Sequence, residues 1–136
     1  MYSHDIEVRV RYGEVDMMGY LYYGYYSFYY EQARVETMRS LGISYKKMEE
    51  LGFLLPVIDL KIKFLKPAFY DDVVLIKTMI KKMPGVRHHF HYEMYNKDNE
   101  LINEAETTLV YLDKDSRKPV QCPDFVKALL HPHLDH

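Results

Sequence analysis

Two sets of side chains in this sequence have the types and spacings to do chemistry. The first is a carboxylate ahead of a helix. In Arg11-Tyr-Gly-Glu-Val-Asp16-Met-Met-Gly-Tyr-Leu-Tyr-Tyr23-Gly24, Asp16 stands seven residues before Tyr23, where a helix-periodic run begins. The first amides of a helix have no internal partner and carry the positive end of its dipole, so they can polarise a carbonyl and hold an oxyanion. A base facing such a hole is the equipment of acyl transfer, and the spacing puts Asp16 near the free amides of that helix start. Spacing alone leaves a second reading open, because an Asp in a glycine-containing loop also serves as a turn former. The other set is His89-Phe-His91-Tyr-Glu93. Alternate residues of a strand share a face, so two imidazoles and a carboxylate would project together as a divalent metal requires. They fall on the wet phase of that strand, opposite Phe90, Tyr92 and Met94, where no second shell would orient them. A metal-dependent enzyme is therefore the lesser alternative, and no metal site is expected.

The elements that must position these residues can be read from periodicity. Ile6, Val8, Val10 and Tyr12 alternate with Glu7, Arg9 and Arg11, a strand with one buried face. From Gly13 to Tyr22 no period survives, which predicts a loop. From Gly24 to Leu41 apolar residues recur at helical spacing through Phe28, Val35, Met38 and Leu41, and Gly42 stands where a cap belongs. This predicts a helix of about 18 residues, about 27 Å long. Its polar residues are few, so it should be buried on most sides, with Glu31 and Arg34 placed three apart to pair with each other. Ser44 can cap a short helix through Leu51, closed by Gly52. Strands then follow at Ile58–Phe64, Val73–Lys82, Arg87–Tyr95 and Leu101–Leu112. Turns at Pro84-Gly85 and Asn96–Glu100 make the last three an antiparallel meander, and Pro123 opens a last short helix ending near Leu130.

That order predicts an α+β fold in one domain spanning residues 1–136, a curved five-stranded antiparallel sheet wrapped round the long helix. One helix cannot cover both faces of such a sheet, so leftover edge and face should serve self-association, as a homodimer at least. Composition narrows the function classes. Eighteen basic against twenty acidic residues in 136 give a net charge of -2, which predicts no general attraction to nucleic acid or an anionic membrane. No run of apolar residues is long enough to span a membrane, and the first residues carry no basic patch followed by an apolar stretch, so a cytoplasmic protein is expected. The single cysteine, Cys122, excludes an internal disulfide, fits a reducing compartment and, with no histidine at a diagnostic spacing, reads as a packing residue. No phosphate-binding glycine loop, nucleophile-elbow serine or dinucleotide fingerprint occurs. Tyrosine is the unusual entry: of 14 in the chain, seven fall at positions 20, 22, 23, 25, 26, 29 and 30.

Taken together, several stretches resemble a known family. Arg11-Tyr12 with Glu14-Val-Asp16, Met18-Gly19, Tyr22 and Tyr26, Tyr30-Glu31-Gln-Ala-Arg34, Lys66-Pro67-Ala68 with Asp71-Asp72, Leu101-Ile-Asn-Glu-Ala-Glu106, and Lys118-Pro119 before Pro123 are similar, in order and spacing, to the hot-dog-fold acyl-CoA thioesterases of the 4-hydroxybenzoyl-CoA thioesterase family, in particular the bacterial short-chain acyl-CoA branch associated with the Tol-Pal system. The resemblance implies a hot-dog fold, hydrolysis of short-chain or aromatic acyl-CoA without a cofactor, since coenzyme A belongs to the substrate, and a site at a dimer interface, with dimers pairing into tetramers. It implies Asp16 as the catalytic carboxylate and the Tyr23 amide, with Gly24 beside it, as the carbonyl-polarising donor. Many short-chain members carry a histidine after the tyrosine of Tyr22; here Tyr23 stands there, which keeps a backbone donor and removes an imidazole. Tyr22 and Tyr26 would line the acyl pocket. Lys66, Lys82 and Arg87, at expected strand ends, would meet the nucleotide phosphates. A non-catalytic module that binds an acyl thioester is the competing class, and a dehydratase of the same fold would need a histidine near the helix start, where this chain has none between His4 and His88.

Overall fold

The computed structural model describes residues 1–134. Its main sheet has five antiparallel strands, β1 (Tyr2–Arg9), β3 (Val57–Phe64), β4 (Val73–Ile80), β5 (Arg87–Tyr95) and β6 (Leu101–Val110), in the order β1-β4-β5-β6-β3. A two-residue strand β2 (Phe53–Leu54) pairs with β7 (Leu112–Asp113) in a second small sheet. The long helix α1 (Tyr26–Ser40) packs mainly on β1 and β4, and α2 (Tyr45–Glu50) and α3 (Asp124–Leu130) are short. This is the α+β arrangement expected. The β4-β5-β6 meander stands as read, flanked by β1 on one side and β3 on the other.

α1 starts two residues later than expected, because Tyr23–Tyr25 is wound as a tighter 3-10 turn leading into it. Its buried residues are Tyr26, Tyr29, Tyr30, Ala33, Arg34, Thr37 and Met38, an inward stripe at three-and-one spacing. Phe28 falls on the opposite side and is 62% exposed, so it is not the core residue its periodicity suggested. Arg34 corrects a second expectation. It is buried and points away from Glu31: its Nε donates to the Tyr45 hydroxyl at 3.1 Å and its Nη1 to the Tyr92 hydroxyl at 3.3 Å, while Glu31 lies exposed. Ser44 caps α2 as expected, its hydroxyl accepting from the Lys47 amide at 3.0 Å.

β1 begins earlier than its pattern suggested and ends at Arg9; Tyr12 lies beyond it in a 3-10 turn and is 77% exposed. β3 departs most from the expected alternation. Ile62 is half-buried and every other residue of the strand is exposed, because β3 is an edge strand whose inner face no helix covers. The core sits between α1 and β4-β5-β6, around Tyr30, Ile76, Phe90, Tyr92, Met94 and Ile102.

Candidate active site

The loop from Arg11 to Tyr22 is shaped by its own backbone. Asp16 and Gly19 close a turn through a 3.0 Å bond from the Gly19 amide to the Asp16 carbonyl, and Gly19 holds a φ of +78° that favours glycine. The Asp16 amide donates to the Tyr20 carbonyl at 2.9 Å, which returns the chain on itself. The Asp16 carboxylate takes part through one oxygen: Oδ1 accepts from the Met18 amide at 2.9 Å and from the Tyr20 amide at 3.2 Å. Oδ2 makes no bond within the described residues. Turn former and free carboxylate oxygen thus coexist in one side chain, and the two readings of the spacing do not compete.

Downstream, Tyr22 has extended backbone angles of φ -64° and ψ 135°, and the 3-10 turn starts at Tyr23. Its first bond runs from the Tyr25 amide to the Tyr22 carbonyl at 3.0 Å, so the Tyr23 and Gly24 amides come before any intrahelical acceptor. They are the two amides to which the resemblance assigns the donor role. A Cβ on Gly24 would come within 2.8 Å of the Tyr22 ring, which lies over it.

Asp16 and Tyr23 line one cleft of about 290 Å³, together with Tyr20, Tyr26, Phe64 and Lys66. Tyr26 forms its inner wall: it is buried, packs edge-on against Phe64 with ring centroids 5.0 Å apart, and has its hydroxyl pushed up mainly by burial. Behind that wall the Tyr30 hydroxyl donates to Asn103 Oδ1 at 2.5 Å. The volume suits a few carbons or one ring. Phe64 stands at the end of β3, so one side of the cleft is the uncovered sheet edge.

The other anticipated residues divide. Tyr22 is 43% exposed and packs tilted against Tyr23 and edge-on against Tyr25, beside the cleft rather than in its wall. Lys66 is in the wall, with its ammonium paired to Glu100, whose carboxyl that bond holds below its usual range. Lys82 and Arg87 are not brought to the cleft within one chain. Phe64 pairs with Asn103 and Asn103 with Met94, whereas Arg87 opens β5 and pairs with Val110. Seven residues of strand at about 3.4 Å each separate the two ends, about 24 Å.

His89, His91 and Glu93 share the outer face of β5 as expected, but each turns to a different neighbour. His89 Nδ1 meets the Thr108 hydroxyl at 2.9 Å, His91 Nδ1 pairs with Glu106 at 3.1 Å, and Glu93 accepts from the Tyr95 hydroxyl at 3.0 Å. Among the described residues no three His, Cys, Asp or Glu side chains are placed to hold a metal ion. His88, one position away, is buried instead; it meets the Tyr111 hydroxyl at 2.7 Å, stacks on Phe90, and burial pulls its pKa down from 6.5 to about 3. Cys122 is buried, as a packing residue would be, and burial pushes its thiol up.

The residue missed as more than a loop acid is Glu14. It is 7% exposed, and both carboxylate oxygens are engaged: Oε1 accepts from the Arg11 amide at 3.0 Å and the Tyr29 hydroxyl at 2.5 Å, Oε2 from Arg11 Nη2 at 3.2 Å. Burial pushes its pKa up, yet the bonds from Tyr29 and Arg11 outweigh that and hold it below 4.5. The one signal in the sequence was the pair of acids two residues apart, with nothing to say that they would differ.

A family model described as the thioesterase-like superfamily matches residues 10–130. The chain belongs to that family. It is 33% identical over 123 residues to the Escherichia coli acyl-CoA thioester hydrolase YbgC, covering 89% of this chain and 90% of that protein. It is 34% identical over 126 residues to the Arabidopsis thaliana acyl-acyl carrier protein thioesterase ATL2, covering 92% of this chain and 66% of that one. The crystal structure of a DHNA-CoA thioesterase from Staphylococcus aureus superposes with a TM-score of 0.90 at 34% identity, covering 97% of this chain and 91% of the other. The hot-dog fold and the assignment as a thioester hydrolase therefore hold.

Proposed function

We propose that this protein hydrolyses short-chain or aromatic acyl-CoA at the Asp16 cleft. The observation that carries the reading is the meeting in one cleft of a carboxylate with one unbonded oxygen and Tyr23, the residue that opens the helical turn, with Gly24 next in the chain. The thioester carbonyl oxygen rests on the Tyr23 and Gly24 amides, which stabilise the negative charge that develops there. Asp16 Oδ2 draws a proton from water as its oxygen bonds to the carbonyl carbon, or attacks that carbon itself to give a mixed anhydride that water then opens. In either route the C–S bond breaks, the sulfur leaves as thiolate, and the proton taken from water returns to it. No cofactor enters this scheme. Tyr20, Tyr26 and Phe64 enclose the acyl group, and the cleft's size favours a short chain or single ring over a long one.

The active form is a homodimer joined along β3. Its row of exposed apolar residues, Val57, Ile58, Leu60 and Phe64, is a long unpaired edge that a second copy would cover. The same contact would close the open side of the cleft and bring Lys82 and Arg87 of the partner within range of the nucleotide phosphates. Sedimentation should give at least twice the chain mass, and four times if dimers pair. One free, buried cysteine supports the cytoplasm as its place.

Free-thiol release from acetyl-, butyryl-, benzoyl- and palmitoyl-CoA tests the reading. Turnover of the first three well above the fourth is expected. Tight binding of acyl-CoA with no thiol released would instead support a module that holds a thioester uncleaved, the role that the absence of an imidazole at Tyr23 keeps open.

A further inference from the structure

The two loop acids, two residues apart, have opposite surroundings. Asp16 faces a cleft with an oxygen unbonded; Glu14 is buried away from that cleft with three bonds on its two oxygens. Glu14 borders a different recess, lined by Arg9, Arg11, Phe28, Tyr29 and Gln32, and so does not touch what the Asp16 cleft holds. Burying a carboxylate is costly, and filling the same space with an apolar side chain would serve simple packing better. Glu14 ties three segments, the helix through its carboxylate and the residue before the helix through its backbone carbonyl. Its Oε1 holds the Tyr29 hydroxyl, on the second turn of the helix whose first amides are the oxyanion donors. Its carbonyl accepts the Tyr22 amide at 2.9 Å, the residue immediately before those donors. Its own chain continues, after one residue, into Asp16.

We infer that the Glu14–Tyr29 contact is a latch that fixes the Asp16 carboxylate relative to the Tyr23 and Gly24 amides, which makes Glu14 and Tyr29 positioning residues for thioester hydrolysis. The inference rests on the proposed role of Asp16 and those amides. Both halves of the site hang from Glu14, through its side-chain bond to Tyr29 and its backbone bond to Tyr22, and a displacement of about 1 Å between reacting groups can lower a rate by up to about 100-fold. Substrate binding in the Tyr26–Phe64 wall does not depend on it.

Tyr29→Phe tests the latch with the least disturbance, since it deletes one oxygen, keeps the ring packed and leaves Glu14 its two bonds from Arg11. It should lower kcat by about tenfold with KM within about twofold of wild type. Glu14→Leu should lower kcat at least as much, Glu14→Gln, which keeps an acceptor for Tyr29, should lose less, and combining Glu14→Leu with Tyr29→Phe should cost no more than Glu14→Leu alone. Amide hydrogen exchange reads the same latch without turnover: in Tyr29→Phe the amides of residues 15–24 should exchange about tenfold faster, with those of β5 unchanged. Unchanged kcat and unchanged exchange would overturn the latch, and so would a raised KM at constant kcat, which would mean that the pair touches substrate. A wild type without turnover, with the exchange change present, would instead sink the hydrolase reading and leave the latch standing.

Discussion

The Asp16 loop and the outer face of the sheet both gather groups capable of chemistry, and they use them differently. On the outer face charges run in register across the strands. Asp5, Lys77, Glu93, Glu104 and Lys63 are successive partners from β1 to β3, and Met79, His91, Glu106 and Lys61 form the neighbouring row. All of these but Asp5 and Lys77 line a recess of about 380 Å³, larger than the Asp16 cleft. Size and charge alone would favour it. There, however, the histidine and the acids are turned to neighbours, His91 to Glu106, Glu93 to the Tyr95 hydroxyl and Glu104 to Lys63. At the loop, Asp16 keeps one oxygen unbonded and two amides point past the end of their helix. A reactive site is better recognised by bonding capacity left over than by the number of ionisable groups.

The contrast can be broken at the amides first. Tyr23→Pro removes one donor while suiting the backbone, because the first helical position tolerates proline and Tyr22 already has the extended angles that a following proline demands. A loss of about 10²- to 10³-fold in kcat is expected, measured by thiol release with circular dichroism to confirm the fold. Gly24→Ala keeps the amide but pushes the Tyr22 ring, and a drop of about tenfold, or 1.4 kcal/mol in the barrier, should follow.

Acid separates the fully buried histidine of β5 from its neighbours on the outer face. His88 has its pKa depressed from 6.5 to about 3, so the unfolded chain takes up a proton below pH 6.5 while the folded one does not. Stability is full above 6.5 and falls towards pH 3, by on the order of 1 kcal/mol per pH unit. His88→Phe should flatten that slope in urea melts taken at several pH values. Glu14, also depressed, adds a further loss that begins only below 4.5. The smallest effects belong to the outer face: His89→Ala and His91→Ala should each change stability by less than about 0.5 kcal/mol and leave turnover as it was, with or without a chelator.

Much of this was legible in the sequence because it rests on local rules. The meander, the Ser44 cap and the Asp16-before-helix spacing are set by residues near one another in the chain. Phe28, β3 and Glu14 were misread because their environments are set from afar. Phe28 has helical spacing relative to other apolar residues, but the inward stripe is chosen by where β1 and β4 lie. β3 alternates like any half-buried strand, and only its place at the edge exposes both faces. Glu14 is made buried by Tyr29, fifteen residues on, and no pattern within the loop announces it. Arg87 opens β5 as read and Lys82 lies two residues past the end of β4, yet both are at the end away from Asp16, which the register of β5 on β6 decides.

The most direct test of the account is a single assay of thiol release from butyryl-CoA, after chelation, by wild type, His91→Ala and Asp16→Asn. Asn keeps the turn-forming oxygen and removes the charge. The account predicts equal turnover in the first two and a loss of about 10²- to 10⁴-fold in the third. Activity retained in Asp16→Asn, or lost in His91→Ala or on chelation alone, would contradict it.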